Sequence, residues 1–323
     1  MWVPPHRDPT SFSDWFERAV AAGKIAVRRV GVLLLALWLL LGALCLWRFF
    51  AAFDSDRGRE LRRLLVRDDA LSPTGTALRE DLTDAEAERA WELVQDIFWS
   101  ALPWLIALTL AFVVVAAWSV ALVARAVQPN VVDRLASDQP AEGLDSVVAG
   151  AVRRVPAVVA SGIVVLAVYA LVWAVASIPI VLVAVADGGG AAIVLTTFFV
   201  VVLVLGVTVW LWARLTLASV IAAVGGHGLG VRRSWNISHG QFWFVAGRLL
   251  VTGLIAGAAS GVLNFVTGFG EFLGLAFFLA IVSLLQALAL AVSMIVTTCG
   301  HLATIEQLSE VELAGSSDGH HAA

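Results

Sequence analysis

Six stretches of this chain stay apolar for about 20 residues or more, the length an α-helix needs to cross about 30 Å of hydrocarbon at about 1.5 Å per residue. They lie near 30–50, 97–126, 156–184, 191–213, 244–267 and 272–298. No other feature restricts the fold as strongly. Hydrocarbon supplies no water to the backbone, so each run must satisfy its own peptide groups, which a helix does. Hydrophobic residues make up 60% of the chain and charged residues 14%, against about 45–50% and about 25% in an ordinary globular domain. The expected fold class is all-α: a polytopic transmembrane helical bundle, six spans as three hairpins with interfacial amphipathic helices.

A Val-Arg-Arg tripeptide precedes an apolar run three times, at Val27-Arg28-Arg29, Val152-Arg153-Arg154 and Val231-Arg232-Arg233. Cytoplasmic ends of spans collect Arg and Lys, so all three hairpins are expected to start from the cytoplasmic side. With both termini inside, 13 of the 21 basic residues fall on inner segments or helix ends. The other eight, from Arg48 to Arg89, fall at or in the first loop, which this topology places outside. That loop opposes the rule. The majority, and the lack of basic residues in the turns Asp187 to Gly190 and Thr267 to Glu271, favour the N-inside arrangement. The N-terminal run has a long flank, no small-x-small cleavage site and a closing Arg48, so it reads as an uncleaved anchor.

The expected organisation is a cytoplasmic amphipathic lead-in over 1–29, a membrane domain over 30–298 with an external loop at 54–96, and a cytoplasmic tail over 299–323. Within the loop, Thr83-Asp84-Ala85-Glu86 has the form of a capping box, followed by Ala87, Trp91, Val94 and Phe98 at helical spacing. A helix should therefore start there and run into the second span. Leu61, Leu64 and Leu65 among arginines suggest either a short helix lying on headgroups or a charged hairpin packed on the bundle. Phe12 to Val27 and Leu144 to Val152 read as interfacial lead-in helices, and Leu215 to Val224 as an interfacial continuation of the fourth span.

Catalytic patterns are lacking. The chain contains no Walker loop, no His-Glu-x-x-His, no Gly-x-Ser-x-Gly and no zinc-ligand spacing, so no enzymatic activity, cofactor or metal is expected. Cys45 and Cys299 fall near opposite faces of the membrane and are not expected to pair. His227, His239 and His301 share a side but lack the carboxylates or thiols of a ligand set. A net charge of -4 argues against a nucleic-acid partner. Asn264 and Gln286, the polar residues of the last two spans, fall at different depths and are not expected to form one transport site.

Gly253, Gly257 and Gly261 form overlapping Gly-x-x-x-Gly units, which allow close helix packing within the chain or against a second copy. The inner turns concentrate cationic and amphipathic side chains. Arg214, Arg232, Arg233, Trp235, Trp243 and Arg248 are the candidate lipid-headgroup or interface residues, with Arg248 expected to snorkel toward the headgroups.

Arg232-Arg233-Ser234-Trp235-Asn236-Ile237, then Gly240-Gln241-Phe242-Trp243 and Gly247, resembles the Arg-Ser-Trp, Gly-x-Phe-Trp pattern of the membrane domain associated with some prokaryotic glycerophosphoryl diester phosphodiesterases. The lead-in Phe12-Ser13-Asp14-Trp15-Phe16 is similar to that pattern too. The resemblance implies a stand-alone membrane domain without the catalytic barrel, so the hydrolytic activity does not carry over. The family pattern often has an acidic residue upstream of its Arg-Ser-Trp, where Ala223 to Gly226 supply none.

The functional expectation is a non-enzymatic scaffold or accessory in the plasma membrane of a prokaryote, handling envelope lipids or other amphiphiles. Its expected partners are membrane lipids, with another envelope protein or a second copy as further options. The alternative is a transporter or channel for a small molecule or lipid, which substrate-dependent uptake into liposomes would reveal. The topology makes a direct prediction: Ser72→Cys reacts with an impermeant thiol reagent on intact cells and Ser317→Cys does not. The reverse labelling pattern would invert the orientation.

Overall fold

The computed structural model describes residues 11–53, 55–67, 77–78, 83–132, 143–186, 190–225, 229–268 and 275–320. In chain order the elements are α1 (Phe12–Phe53), α2 (Asp56–Leu65), β1 (Val66–Arg67), β2 (Ala77–Leu78), α3 (Asp84–Val132), α4 (Leu144–Val185), α5 (Gly190–Leu215), α6 (Ala218–Val224), α7 (Val231–Ile237), α8 (Phe242–Gly268) and α9 (Leu275–His320). Apart from the two-residue antiparallel pair of β1 with β2, the described fold is all-α. Among the described residues five helices are long and apolar enough to cross a membrane, or six if α7 and α8, bent by 115° to each other, are counted together as one span. Helices of that number and composition make the chain a multi-pass membrane protein.

The helices run further than the apolar stretches require. α1 passes from Phe12 through Val30 without a break, and α4 starts at Leu144, so both lead-ins are the first turns of spans rather than separate interfacial helices. α9 likewise carries on beyond residue 298 to His320, and the expected tail is largely helical. Once a helix is nucleated each added residue gains a hydrogen bond, and Ala, Leu and Glu in these extensions favour continuation. Leu215 to Val224 is the opposite case. The chain breaks at Thr216 and Leu217, and α6 buries Ala218, Val220, Ile221, Ala222 and Ala223, packing on α4 instead of lying on lipid.

The chain divides into two compact units. Unit 1 comprises Met1–Val30, Ala117–Ile255 and Met294–Ala323. It holds most of the buried side chains: Trp15, Ala22, Ala26 and Val30 form one stripe of α1 at i, i+4 spacing, and Cys299, Ala303 and Leu308 line α9. The Trp15 indole N–H donates to the Gly300 carbonyl at 3.2 Å and to Thr304 Oγ1 at 3.1 Å, which fixes the start of α1 against α9. Arg29 donates to the Ala126 carbonyl at 3.1 Å, tying α1 to α3.

Unit 2 comprises Gly31–Ala116 and Ala256–Ser293. Trp38 is buried edge-on to Phe112, ring centroids 5.2 Å apart, and the Arg48 guanidinium stacks over Trp104 at 3.8 Å. The capping box forms as expected. Glu86 accepts from the Thr83 backbone N–H at 3.0 Å, and Thr83 Oγ1 accepts from the Glu86 N–H at 3.4 Å. α2 attaches to α3 through Arg57 with Asp96 and Arg89 with Glu60, the charged-hairpin arrangement. Both pairs are exposed, so solvent and salt screen them and they contribute little to stability.

Outward apolar surface is extensive. Leu110, Leu166, Leu171, Phe199 and Leu203 are all exposed. Only 6% of the most apolar stretch of the span Ile193–Val224 is buried within the protein, against 50% of that in α9. Patches of this size need a covering solvent, here lipid.

Close approach uses other glycines than the strip of α8. A Cβ placed on Gly253, Gly257 or Gly261 would meet nothing within 4 Å, so the strip is open among the described residues. At Gly300 it would lie 2.5 Å from Thr252 Oγ1 and 2.8 Å from its Cγ2. There α9 and α8 touch through the missing side chain. Gly230, with φ of 71°, enters α7 in the left-handed region, with the Ala218 carbonyl where a Cβ would stand.

Two substitutions separate these roles. Gly300→Ala should cost about 1–3 kcal/mol by overpacking against Thr252, and Gly257→Ala should be neutral or stabilise by up to about 1 kcal/mol through helix propensity. Thermal unfolding of the two variants in detergent checks both; equal loss at Gly257 would mean that the strip is packed after all.

Candidate functional site

Sequence and structure both point to the segment joining α5 to α8, where the Arg-Ser-Trp tripeptide folds back on the end of α5. An α-helix leaves its last four carbonyls without intrahelical donors. Ser234 on α7 answers one of them, its hydroxyl donating to the Arg214 carbonyl at 2.5 Å. The Arg214 side chain returns the contact, its Nη1 donating to the Trp235 carbonyl at 3.3 Å. Nη1 also lies 3.4 Å from His239 Nδ1. The guanidinium carbon sits 5.4 Å from the ring centroids of both Trp210 and Trp235, and those rings meet edge-on with centroids 5.2 Å apart. Ser238 closes the turn by donating to the Ser234 carbonyl at 2.7 Å. Beneath it, Ala213, Leu217, Ile221, Val245, Leu249 and Leu308 form a dry cluster from α5, α6, α8 and α9.

The expected interface residues divide into two groups. Arg232 and Arg233 are exposed on α7, and Trp235 is 37% and Trp243 84% exposed. Arg214 and Arg248 are buried, at 7% and 5% exposure, and bond internal groups instead of standing open at the surface as expected. Arg248 does not snorkel. Its Nε donates to Gln307 Oε1 at 2.9 Å, its Nη1 to the Phe244 carbonyl at 3.2 Å, and its guanidinium lies over the Phe244 ring. The reason is local: Gln307 of α9 offers a buried acceptor one turn into α8, so the side chain has a partner without reaching the surface.

Gln307 is itself fully buried and donates through Nε2 to the Ser11 carbonyl at 3.1 Å, so one amide links α8, α9 and the entry to α1. Alongside it Arg18 bonds Asp14 at 2.7 Å, Glu310 at 2.7 Å and Glu306 at 3.2 Å. These residues are absent from the sequence-based site. The local signal was present, since Asp14 and Arg18, and Glu306 and Glu310, each sit four apart on a helix. What joins the two pairs is a contact across 292 residues of sequence.

Among the described residues no group of three or more His, Cys, Asp or Glu is placed to hold a metal ion. His239 is exposed beside Arg214, His301 is buried on α9, and His227 lies outside the described residues. Cys45 is exposed and Cys299 buried, both as free thiols. Gln286 is exposed on α9, and the side chain of Asn264 lies outside the described set.

No family model matches the chain, and neither does any curated protein or solved structure. The turn therefore has to be read from its own geometry.

Ser234→Ala should destabilise the protein by about 1–3 kcal/mol, because the Arg214 carbonyl then loses its donor in a buried place. The check is thermal unfolding in detergent, with Ser309→Ala, a partly buried serine that bonds only the preceding turn of its own helix, as the control that should change little. Equal stability of the two variants would remove the latch.

Proposed function

We propose that this protein acts without catalysis, as a scaffold or accessory in handling envelope lipids or other amphiphiles, in the plasma membrane of a prokaryote with both termini cytoplasmic. The working surface is α7 and the start of α8. The observation that carries this reading is the 115° bend between them. If α8 crosses the bilayer, a helix bent that far from it lies along the headgroups. α7 then presents exposed Arg232 and Arg233 there, with Trp235 and the 84% exposed Trp243 beside them. Indole rings prefer the boundary between hydrocarbon and water, and guanidinium groups pair with phosphate.

Supporting this reading, the outward faces of the spans are apolar, while buried Ser234, Arg248 and Gln307 bond neighbouring segments of unit 1 and hold its helices together. The three Val-Arg-Arg tripeptides place basic anchors on the same expected side, toward an anionic leaflet.

Each basic residue at such a surface contributes about 1 kcal/mol, so Arg232→Gln with Arg233→Gln should weaken the preference for anionic over zwitterionic lipid by about tenfold or more. Lipid competition on the purified double variant measures it. Correct topology with unaltered preference would reduce these arginines to anchors used during insertion.

A further inference from the structure

Arg214 is buried to 7% exposure, yet none of its contacts is with a carboxylate. Arg18 of the same unit shows the ordinary solution, with three acidic partners. Removing a cation from water is costly unless an opposite charge or full hydrogen bonding replaces the lost hydration. Here Nη1 carries both hydrogen-bonding contacts, which among the described residues leaves Nε, sealed from the surface, and Nη2 without one. The fork of donors is thus half used.

The surroundings of this fork share one chemistry. A guanidinium only donates, so in the 3.4 Å contact with Arg214 Nη1 the acceptor is His239 Nδ1, an arrangement that leaves Nε2 as the ring's donor at an exposed residue. Trp210 and Trp235 face the cation with their rings, neutral walls that leave its charge uncancelled. Arg232 and Arg233, just before the latch serine, add positive charge at the surface. No acidic side chain forms an ion pair with any of these arginines among the described residues.

We propose that Arg214 is the centre of a site for one phosphate oxyanion, held by Nη2 of its guanidinium and by His239, with Arg232 and Arg233 drawing the anion in. Nη2 presents two N–H donors fixed in the guanidinium plane, a directed arrangement that an ammonium does not have. This rests on the reading of α7 and α8 as a headgroup-level surface. It differs from it in claiming a stoichiometric site rather than general attraction. The oxyanion has two possible sources, the phosphodiester of an anionic lipid and free inorganic phosphate.

The experiment uses the purified full chain in a neutral detergent, with native mass spectrometry counting phosphatidylglycerol, phosphatidylcholine or inorganic phosphate retained. The expected result is one phosphatidylglycerol per chain under conditions that retain no phosphatidylcholine. Arg214→Lys and His239→Leu should each weaken that binding, the first by about tenfold or more, as expected when charge-assisted hydrogen bonds are lost. Retention of inorganic phosphate with the same dependence on Arg214, and no lipid, supports the site and assigns it to the free anion. Wild-type protein that retains neither anion, or retains phosphatidylglycerol and phosphatidylcholine equally, overturns the proposal whether or not any variant folds. So does a folded Arg214→Lys that binds as wild type. Arg232→Gln with Arg233→Gln should lower binding to vesicles while keeping the single retained anion at high ligand. Vesicle preference that falls in this double variant while wild type retains no anion overturns the site alone; unaltered vesicle preference with one anion retained overturns the surface reading alone.

Discussion

Burial of guanidinium groups at the ends of apolar helices is the constraint on which unit 1 depends. A guanidinium taken out of water must find acceptors for its protons, and each of three arginines does so in a different way. Arg18 uses carboxylates of α1 and α9. Arg248 uses the Gln307 amide, the Phe244 carbonyl and the Phe244 ring. Arg214 uses the Trp235 carbonyl, His239 and two indoles. The first two pin α1, α8 and α9 to one another, because every acceptor lies on a particular helix at a particular level. Hydrophobic contact could not do the same, since apolar side chains slide with little change in energy while a hydrogen bond to a buried charge fails within an ångström or so.

Between helices in lipid the remaining attraction is close packing, and small residues are placed accordingly. Gly300 lets α9 meet Thr252 of α8, and Gly150 of α4 leaves room for the Arg125 side chain, whose Nε would stand 2.9 Å from a Cβ there. Among the described residues the Gly-x-x-x-Gly strip of α8 has no such neighbour within 4 Å. Spacing alone identifies a smooth helix face. Whether a backbone comes against that face depends on how the neighbouring helices are rotated.

The Arg-Ser-Trp tripeptide combines two physical tasks that its sequence does not separate. Ser234 and the Trp235 backbone fasten α7 to the end of α5. Arg232 and Arg233, one and two residues earlier, stay exposed. In a helix adjacent residues point about 100° apart, so a short run can face both inward and outward. The resulting surface carries two exposed cations on a backbone that is held from below, which suits the proposed selection among lipid headgroups better than a mobile basic loop would.

The sequence by itself determined the class of fold: the length of six apolar runs and the absence of water in hydrocarbon permit little other than helices. It also determined the capping box at Thr83 and Glu86, because that device is local and its partners are three residues apart. Helix ends were less legible, as at α1, α4 and α9, where a span and its polar extension form one continuous rod. The split among the six expected interface residues was decided only by tertiary structure. Arg248 and Arg233 look alike in sequence, each a cation near the start of an apolar run. Arg248 turns inward because Gln307, 59 residues away, presents an acceptor, and Arg233 has no such neighbour among the described residues. The Arg18 cluster was hidden for the same reason: its halves lie 292 residues apart and meet only when α1 and α9 have packed. Periodicity and hydropathy follow from the local backbone, whereas the partner of a buried charge is set by whichever distant helix arrives at its level.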